Sequence, residues 1–276
     1  MYNRLESKTL ATPDAQGNIY YHYINENWQA QGFGRVDRCR RQAPVNGELS
    51  YTYIYYADAS GRLQEKRSYS DAGWAALVAK YTYYNDSTGR LQSKTDAATG
   101  TIFTYYNDSI GRLESKTLAA PDASGFIYYH YMNEASQPGQ SLARVDKTRR
   151  QTAIDDAFYF AYEYFSNQWG NCWAVYVSVV WGYADTLWTN AVSKVTYYKT
   201  ADRQLESKTN LVTGTVYTYY QHPMTTLKSI FDGPTGILTT YYFTSHRMES
   251  KTLHSPDASG NIYYHYADDI YGRIDK

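Results

Sequence analysis

Short segments of alternating side-chain character run along the whole chain, and turn-forming residues separate them. In Arg112 to Thr117 (RLESKT), Arg, Glu and Lys alternate with Leu, Ser and Thr. In residues 127–131 (IYYHY), the first, third and fifth side chains share one face, and Tyr128 and His130 share the other. A period of two is that of a β-strand, whose successive side chains point to opposite faces. The pattern therefore predicts strands rather than helices.

Turn signals lie between these segments. The sequence Pro-Asp-Ala-x-Gly occurs at Pro13–Gly17, Pro121–Gly125 and Pro256–Gly260. Pro presets the first turn dihedral, Asp accepts hydrogen bonds from its own backbone, and Gly adopts positive φ. Short, evenly spaced strands with turns between them predict an all-β fold with almost no helix, built of tandem β-hairpin repeats in a continuous, antiparallel, spiralling sheet.

The chain contains long internal repeats. Leu5 to Gln42 and Leu113 to Gln151 share the pattern LESKTLAxPDAxG–IYYHY–RVD–RRQ, and Met248 to Tyr266 begins a third copy. We predict one repeat array over residues 1–276 with about ten hairpin repeats, superrepeats at 4–111 and 112–246, and a third copy from 247. A single hairpin cannot bury its apolar face, so each repeat needs its neighbours for stability.

A Gly-Arg-Leu-like start marks the individual hairpin repeats. These starts are Arg4, Arg35, Arg62, Arg90, Arg112, Arg144, Gln204, Thr226, Arg247 and Arg273. One marker is missing near Trp173, within a gap of two repeats. Residues 155–195 are more apolar and are interpreted as diverged hairpin repeats, with a plug or interface segment as the alternative.

Composition supports strands and excludes some partners. The chain has 33 Tyr against 8 Phe and 6 Trp, and Tyr and Thr suit a pleated, half-buried surface. Stacked repeats would form tyrosine rows with aromatic cross-strand pairs, beside a face of interleaved Arg, Glu and Lys. The 27 basic and 27 acidic residues cancel, which argues against a general affinity for nucleic acid or membranes.

Localisation is open from the sequence alone. The first residues lack an apolar stretch, so they are not a signal peptide, and no segment is long enough for membrane insertion. Cys39 and Cys172 allow one disulfide at most, and their redox state stays open. We expect an extracellular or cell-surface protein, in which case the signal lies on a longer precursor.

Two segments carry a family resemblance. Residues 83–91 (YYNDSTGRL) and 105–113 (YYNDSIGRL) resemble the tyrosine–aspartate (YD) repeats of Rhs proteins, insecticidal toxin-complex shells and teneurins. In that family the motif is Tyr-x-Tyr-Asp, a short spacer and Gly-Arg-Leu, whereas one extra residue separates Tyr from Asp here. The resemblance recurs over most of the chain and is faint between residues 155 and 195. It implies a strip of hairpins that spirals and, in full-length members, closes into a hollow shell.

The resemblance also implies a function. Such shells encapsulate a toxin segment or present a surface for adhesion. The chain is therefore expected to be a non-enzymatic shell or scaffold segment of a larger secreted or surface protein. Its expected partners are flanking repeats of a longer chain or other copies of itself. No segment matches the family's self-cleaving aspartate module, so neither cleavage nor a toxin is carried over. About ten hairpins predict a partial spiral.

Two alternative functions stay open. Residues 260–266 (GNIYYHY) are similar to the Gly-x-Trp-Tyr-Tyr-Phe core of choline- and glucan-binding cell-wall repeats, with Ile262 in the place of Trp. That resemblance implies a carbohydrate-binding module that holds a glycan between aromatic rings. The third candidate is a self-assembling filament or coat subunit.

The candidate binding residues are tyrosines that match in register between copies. They are Tyr21, Tyr129 and Tyr264 in a first row and Tyr23, Tyr131 and Tyr266 in a second row. Aromatic faces stack on sugar rings or on partner proteins. The alternative is that one row is simply the packed face of the sheet.

Other repeated groups are interpreted as parts of the scaffold. His22, His130 and His265 recur without Cys or carboxylate neighbours at ligand spacing, so we predict solvent-facing strand residues and no metal site. The Asp-Ala-x-Gly-Asn segments lack the closing Glu of a calcium loop and are predicted turns.

The remaining charged groups give no sign of catalysis. The pairs Arg40-Arg41 and Arg149-Arg150 are predicted to form a solvated edge, with an anionic glycan or nucleic acid as the alternative. Glutamates recur in one repeat position: Glu6, Glu114, Glu206 and Glu249. A catalytic residue is normally unique, so we predict no catalytic residue and no cofactor.

The two ends share a repeat phase. Residues 2–8 (YNRLESK) match residues 271–276 (YGRIDK), and neither end shows a cap. Because an open sheet edge pairs readily with another strand, we predict either flanking repeats or head-to-tail association through these ends.

Overall fold

A computed structural model describes residues 5–24, 34–57, 61–133, 144–165, 176–198, 204–221, 226–268 and 273–274. These residues form twenty β-strands and no helix. The strands are β1 Ser7–Thr9, β2 Asn18–Tyr23, β3 Val36–Val45, β4 Glu48–Tyr55, β5 Leu63–Tyr69, β6 Leu77–Tyr83, β7 Leu91–Asp96, β8 Ile102–Tyr105, β9 Leu113–Thr117, β10 Phe126–Tyr131, β11 Val145–Ile154, β12 Ala157–Tyr164, β13 Val177–Tyr183, β14 Ala191–Tyr197, β15 Leu205–Asn210, β16 Val216–Tyr219, β17 Leu227–Asp232, β18 Ile237–Tyr241, β19 Met248–Thr252 and β20 Tyr263–His265. The predicted all-β fold of antiparallel hairpins is confirmed.

The chain divides into two compact units. The first unit contains Met1–Asp122 and Ile127–Arg144, and the second contains Ala123–Phe126 and Val145–Lys276. In the first unit each strand from β1 to β10 pairs antiparallel with the next strand of the chain. The strands β11 to β20 of the second unit pair in the same way. The sheet is thus continuous within each unit.

The three predicted turns are present. Gly17, Gly125 and Gly260 have φ of 82°, 81° and 81°, in the left-handed region that glycine adopts without a steric penalty. In the first of these turns, Asp14 Oδ1 accepts the backbone N–H groups of residues 16 and 18, each at 2.9 Å. The Asp–Gly pair therefore fixes the turn, as the sequence predicts.

One face of the sheet carries a row of paired hydroxyl groups, here called the hydroxyl face. A Thr and a Ser lie directly opposite each other on adjacent strands, with their oxygens 2.6–2.8 Å apart. The pairs are Thr82–Ser93 and Thr104–Ser115 in the first unit, and Thr196–Ser207, Thr218–Ser229 and Thr240–Ser250 in the second. Such cross-strand pairs contribute roughly 0.2–1 kcal/mol each.

Few side chains are fully buried. Among the described residues the buried apolar side chains are Cys39, Tyr51, Tyr69, Ala79, Ala157 and Val192. Most other aromatic side chains are half-buried. With so small an apolar core, the cross-strand pairs and neighbouring hairpins must supply much of the stability.

Some sequence predictions fall outside the described residues. Cys172 and the missing repeat marker near Trp173 lie there, as do Tyr2 and Tyr271 of the two matching ends. Cys39 is described and is a free, buried thiol.

Candidate functional site

Each tyrosine of the first row is hydrogen-bonded to the turn that precedes its strand. The phenol O–H is donated to the carboxylate of the turn aspartate seven residues earlier, in the pairs Tyr21–Asp14, Tyr129–Asp122 and Tyr264–Asp257. The other carboxylate oxygen of Asp257 accepts the backbone N–H groups of residues 259 and 261, at 2.8 and 2.9 Å. The tyrosine therefore links its strand to the turn.

The pKa values of the first pair follow from this contact. The phenol of Tyr21, together with backbone N–H groups of the turn, holds the pKa of Asp14 below its ordinary value of 3.8. Burial, and then the neighbouring Asp14 carboxylate, raise the pKa of Tyr21 above 10.0. Both shifts favour the charged carboxylate beside the neutral phenol.

Two residues of the second row, Tyr131 and Tyr266, take part in a contact between hairpins, here called the tyrosine clamp. A tyrosine that directly follows one strand donates its phenol O–H to the carbonyl oxygen of a tyrosine at, or directly after, the end of a later strand. The donor and acceptor pairs are Tyr56–Tyr83, Tyr84–Tyr105, Tyr106–Tyr131, Tyr198–Tyr219, Tyr220–Tyr241 and Tyr242–Tyr266, with O···O distances of 2.5–3.1 Å. Tyr131 and Tyr266 thus act through their backbone carbonyls.

Lysines alternate with aromatic residues on the face opposite the hydroxyl face, here called the lysine–tyrosine face. Lys66 lies opposite both Tyr53 and Tyr81, and Lys94 lies opposite both Tyr81 and Phe103. The Lys66 ammonium is 5.4 Å from the Tyr81 ring centroid, and that of Lys94 is 5.7 Å away, within cation–π range.

This arrangement corrects one expectation. The sequence predicts aromatic cross-strand pairs, and Tyr159 does lie opposite Tyr183, but the registers of Lys66 and Lys94 place lysine across from tyrosine. The first tyrosine row follows the same rule, because Tyr21 lies opposite Lys8, Tyr129 opposite Lys116, and Tyr264 opposite Lys251. The charged positions and the first tyrosine row therefore share one face of the sheet.

The six candidate tyrosines belong to three different hairpins. Tyr21 and Tyr23 lie on β2 and Tyr129 and Tyr131 on β10, and β3 to β9 lie between these two strands in the first unit. Tyr264 and Tyr266 belong to the second unit. The six residues thus serve three separate hairpins. Ligand binding by these rows stays a prediction.

The aspartate of the YD-like motif fixes a turn. Asp108 Oδ1 accepts the backbone N–H groups of Ile110 and Gly111 at 2.9 and 2.7 Å, and Oδ2 accepts a hydrogen bond from Arg112 Nε at 2.8 Å. Asp86 accepts the equivalent N–H groups of Thr88 and Gly89. These contacts, led by the Thr88 hydroxyl, lower the pKa of Asp86 to about 2. The motif is therefore a turn-closing device.

The three repeated histidines are half-buried on the hydroxyl face, so they are only partly exposed to solvent. Each lies opposite a serine in the adjacent strand. His130 and His265 pack edge-on against the clamp residues Tyr106 and Tyr242, with centroid distances of 6.3 and 6.4 Å. His22 Nδ1 lies 2.5 Å from Asp37 Oδ1. The histidines thus support the hairpin contacts.

The two arginine pairs are not simply solvated. The Arg40 guanidinium carbon lies 5.9 Å from the Tyr20 ring centroid, and that of Arg41 lies 5.6 Å from the Tyr51 centroid. Arg150 stacks on Phe126 at 5.0 Å within the second unit. These guanidinium groups are half-buried and cover aromatic rings, so they are parts of the packed sheet.

A polar cluster that the sequence reading missed lies on the lysine–tyrosine face of the first unit. Glu48 Oε1 accepts hydrogen bonds from Ser68 Oγ at 2.8 Å and from the Tyr81 phenol at 2.9 Å. The Lys66 ammonium lies 4.2 Å from the Tyr51 ring centroid. Burial lowers the pKa of Lys66. Burial and Glu48 raise that of Tyr81.

The internal repeat gives a signal for this cluster. At the positions of Glu48, Lys66 and Tyr81, the second superrepeat has Ala157, Val180 and Val195. The positions hence differ in chemistry between copies, unlike the repeated Glu and His. Glu48, Ser68 and Tyr81 are hydrogen-bonded to one another, and their geometry indicates no reaction.

Metal-binding clusters and membrane-spanning helices are both absent from the described residues. No three His, Cys, Asp or Glu side chains in this part of the chain are grouped so that they could hold a metal ion. Within the same ranges, no helix has the length and apolar character needed to cross a membrane.

Comparison with known proteins identifies no family for this chain. No protein-family model and no curated protein matches the chain. Among solved structures, TcdB2-TccC3-TEV is similar at 14% identity and a TM-score of 0.25, over 91% of this chain and 13% of that chain. The Photorhabdus luminescens Tc holotoxin pore is similar at 11% identity and a TM-score of 0.20, over 90% of this chain and 14% of that chain.

A porin-like protein from Bacteroides uniformis is similar to the same extent, at 14% identity and a TM-score of 0.20, over 82% of this chain and 86% of that chain. The chain spans 13–14% of the length of the two toxin-complex chains. At such TM-scores and identities these likenesses carry no argument about this chain.

Proposed function

We propose that the chain is a non-enzymatic scaffold segment of the YD-repeat kind, in which each hairpin is held in place by its neighbours. The observation that carries the proposal is the tyrosine clamp, which recurs at six junctions between hairpins. A contact that recurs at six junctions serves the array rather than a single site, and stability in such arrays is a sum of nearest-neighbour terms.

The turn contacts support the same proposal. In the YD-like motif the first tyrosine ends a strand, the second acts as clamp donor, and the aspartate caps the turn. Each of these elements of the motif thus has a scaffold role within the repeat. The expected partners are flanking repeats of a longer chain, and the expected location is outside the cell. The expected partners and the expected location are parts of this proposal.

A change in the number of hairpins tests the proposal. A second copy of residues 85–106 inserted after Tyr106 adds one in-phase hairpin. We expect a soluble protein with an unchanged far-ultraviolet circular dichroism per residue and an unfolding midpoint no lower than that of the parent chain. Insertion of residues 85–95 alone adds one strand and is the out-of-phase control. Loss of folding on the in-phase insertion would refute the scaffold proposal.

A further inference from the structure

A small polar cavity lies on the lysine–tyrosine face of the second unit. Its volume is about 160 Å³, and its lining includes Ser193 of β14, Lys208 and Asn210 of β15 and Tyr217 of β16. Asp155, at the tip of the hairpin between β11 and β12, closes one side and accepts a hydrogen bond from Lys208 Nζ at 2.7 Å. A hairpin tip thus reaches over strands far along the chain.

The tip has an unusual backbone. Asp155 and Asp156 have φ of 48° and 63°, whereas the equivalent tip of the first superrepeat is Asn46-Gly47. Asn-Gly and Asp-Gly are favoured pairs for a two-residue turn with positive φ at both positions, so Asp155 suits the first position, whereas Asp156 replaces a glycine at the second. The exchange of Asn46 for Asp155 thus places a carboxylate at the cavity.

The first superrepeat has the same strands with a different arrangement of hydroxyl groups. At the positions of Ser193 and Tyr217 it has Ala79 and Phe103. Opposite Ser193 the second copy has Gly182, where a Cβ atom would lie 2.3 Å from Ser193 Oγ. The first copy has Ser68 at the position of Gly182, opposite Ala79, so the second copy carries this hydroxyl group on β14 instead of β13, and the glycine makes room for it.

The lining contains hydrogen-bonding groups that are not used by the described residues of the protein. Within the described part of the chain, the hydroxyl groups of Ser193 and Tyr217 form no hydrogen bond with protein atoms. Asn210 Oδ1 accepts two backbone N–H groups, at 2.9 and 3.0 Å, and its Nδ2 keeps both donors. The cavity therefore offers donors and acceptors beside one aromatic ring.

We propose that this cavity binds one neutral pyranose ring of a glycan. Lys208 and Asp155 neutralise each other, so an ionic ligand would leave a charge without compensation. The volume is below the 300–1,000 Å³ typical of pockets for larger ligands, which limits the site to a single ring. A ring with several hydroxyl groups matches the mixed donors and acceptors, and its apolar side matches the Tyr217 ring.

Sugar titration of the full chain tests this site. The probes are the methyl glycosides of glucose, galactose and N-acetylglucosamine, measured by saturation-transfer NMR. We expect one of them to bind with a Kd on the order of millimolar, as suits a few hydrogen bonds in an open site. Tyr217→Phe and Ser193→Ala install the residues of the first copy, and each should weaken binding about five-fold.

The matched control is Asn46→Asp, which makes the reverse exchange at the equivalent tip of the first unit and should leave binding unchanged. Circular dichroism of each variant checks the fold. No saturation transfer from any of the three glycosides overturns the proposal, as does transfer that neither Tyr217→Phe nor Ser193→Ala reduces. The site is independent of the scaffold role, so the hairpin insertion in the first unit tests that role separately.

Discussion

Tyr84 donates its phenol O–H to the carbonyl oxygen of Tyr105 at 2.6 Å. Tyr84 follows β6 and Tyr105 ends β8, so the bond reaches over the intervening β7. Backbone ladders join only adjacent strands, whereas this bond joins alternate ones. The second tyrosine of the YD-like motif therefore makes a contact that the sheet ladder itself cannot make.

Removal of this phenol oxygen should destabilise the sheet. We expect Tyr84→Phe to lower the free energy of unfolding by about 1 kcal/mol, because the Tyr105 carbonyl loses its side-chain partner. Urea unfolding followed by circular dichroism measures the change. The matched control is Tyr105→Phe, which removes a phenol oxygen but keeps the accepting carbonyl. Equal losses in the two variants would count against the clamp.

The pair of Asp14 and Tyr21 should make stability depend on pH at both extremes. Asp14 has a lowered pKa, so its contribution is present above 3.8 and is lost as the pH falls below that value. Tyr21 has a raised pKa, so its contribution is present below 10.0 and is lost as the pH rises above it.

The variant Tyr21→Phe should hence differ most from the parent chain between these limits, and the difference should shrink at each extreme. Urea midpoints across the pH range measure it, with Tyr20→Phe as control. A difference that stays constant with pH would contradict the assignment.

Two substitutions of Asp108 separate the contribution of its hydrogen bonds to stability from that of its negative charge. Asp108→Ala removes the acceptor of two backbone N–H groups and the partner of Arg112, and should cost about 1–2 kcal/mol in the free energy of unfolding. Asp108→Asn keeps the acceptor oxygen and loses only the ion pair, so it should cost less than half as much. Urea unfolding compares the two variants. Equal costs would show that the ion pair dominates.

Cys39 should be an unreactive thiol in the folded protein. Its side chain is buried, and burial raises its pKa, which disfavours the reactive thiolate. In a Cys172→Ser background, a disulfide reagent should modify Cys39 at least about ten-fold more slowly than in urea. Cys39→Thr should be tolerated, because Thr148 stands at this position in the second copy and its hydroxyl contacts Tyr162 at 2.9 Å. Fast native-state modification would contradict the burial.

Local patterns predict much of this fold. The period of two in residues 112–117 and 127–131 gives the strands, and the Pro-Asp-Ala-x-Gly segments give the turns at Gly17, Gly125 and Gly260. Both signals act within a few residues, where backbone sterics and side-chain hydrogen bonds decide the conformation.

Contacts between strands are less visible in the sequence. The pairing of Lys66 with Tyr81 depends on the register of β5 and β6, and a slip of one residue would place these side chains on opposite faces. The Glu48 cluster and the cavity at Asp155 also join residues that are distant in the chain. Only the differences between the two superrepeats mark these places in the sequence.

The central claim is that each hairpin depends on its neighbours and on no unique site, and an in-phase deletion tests it most directly. Deletion of residues 85–106 removes one hairpin and joins Tyr84 to Asn107, so Tyr84 takes the place of Tyr106 beside the Tyr131 carbonyl. The control deletion, residues 91–101, removes β7 alone and reverses the direction of the next strand. We predict that the in-phase deletion keeps the β-sheet circular dichroism per residue and a cooperative urea transition, and that the control loses both. Collapse of both variants, or survival of both, would contradict the account.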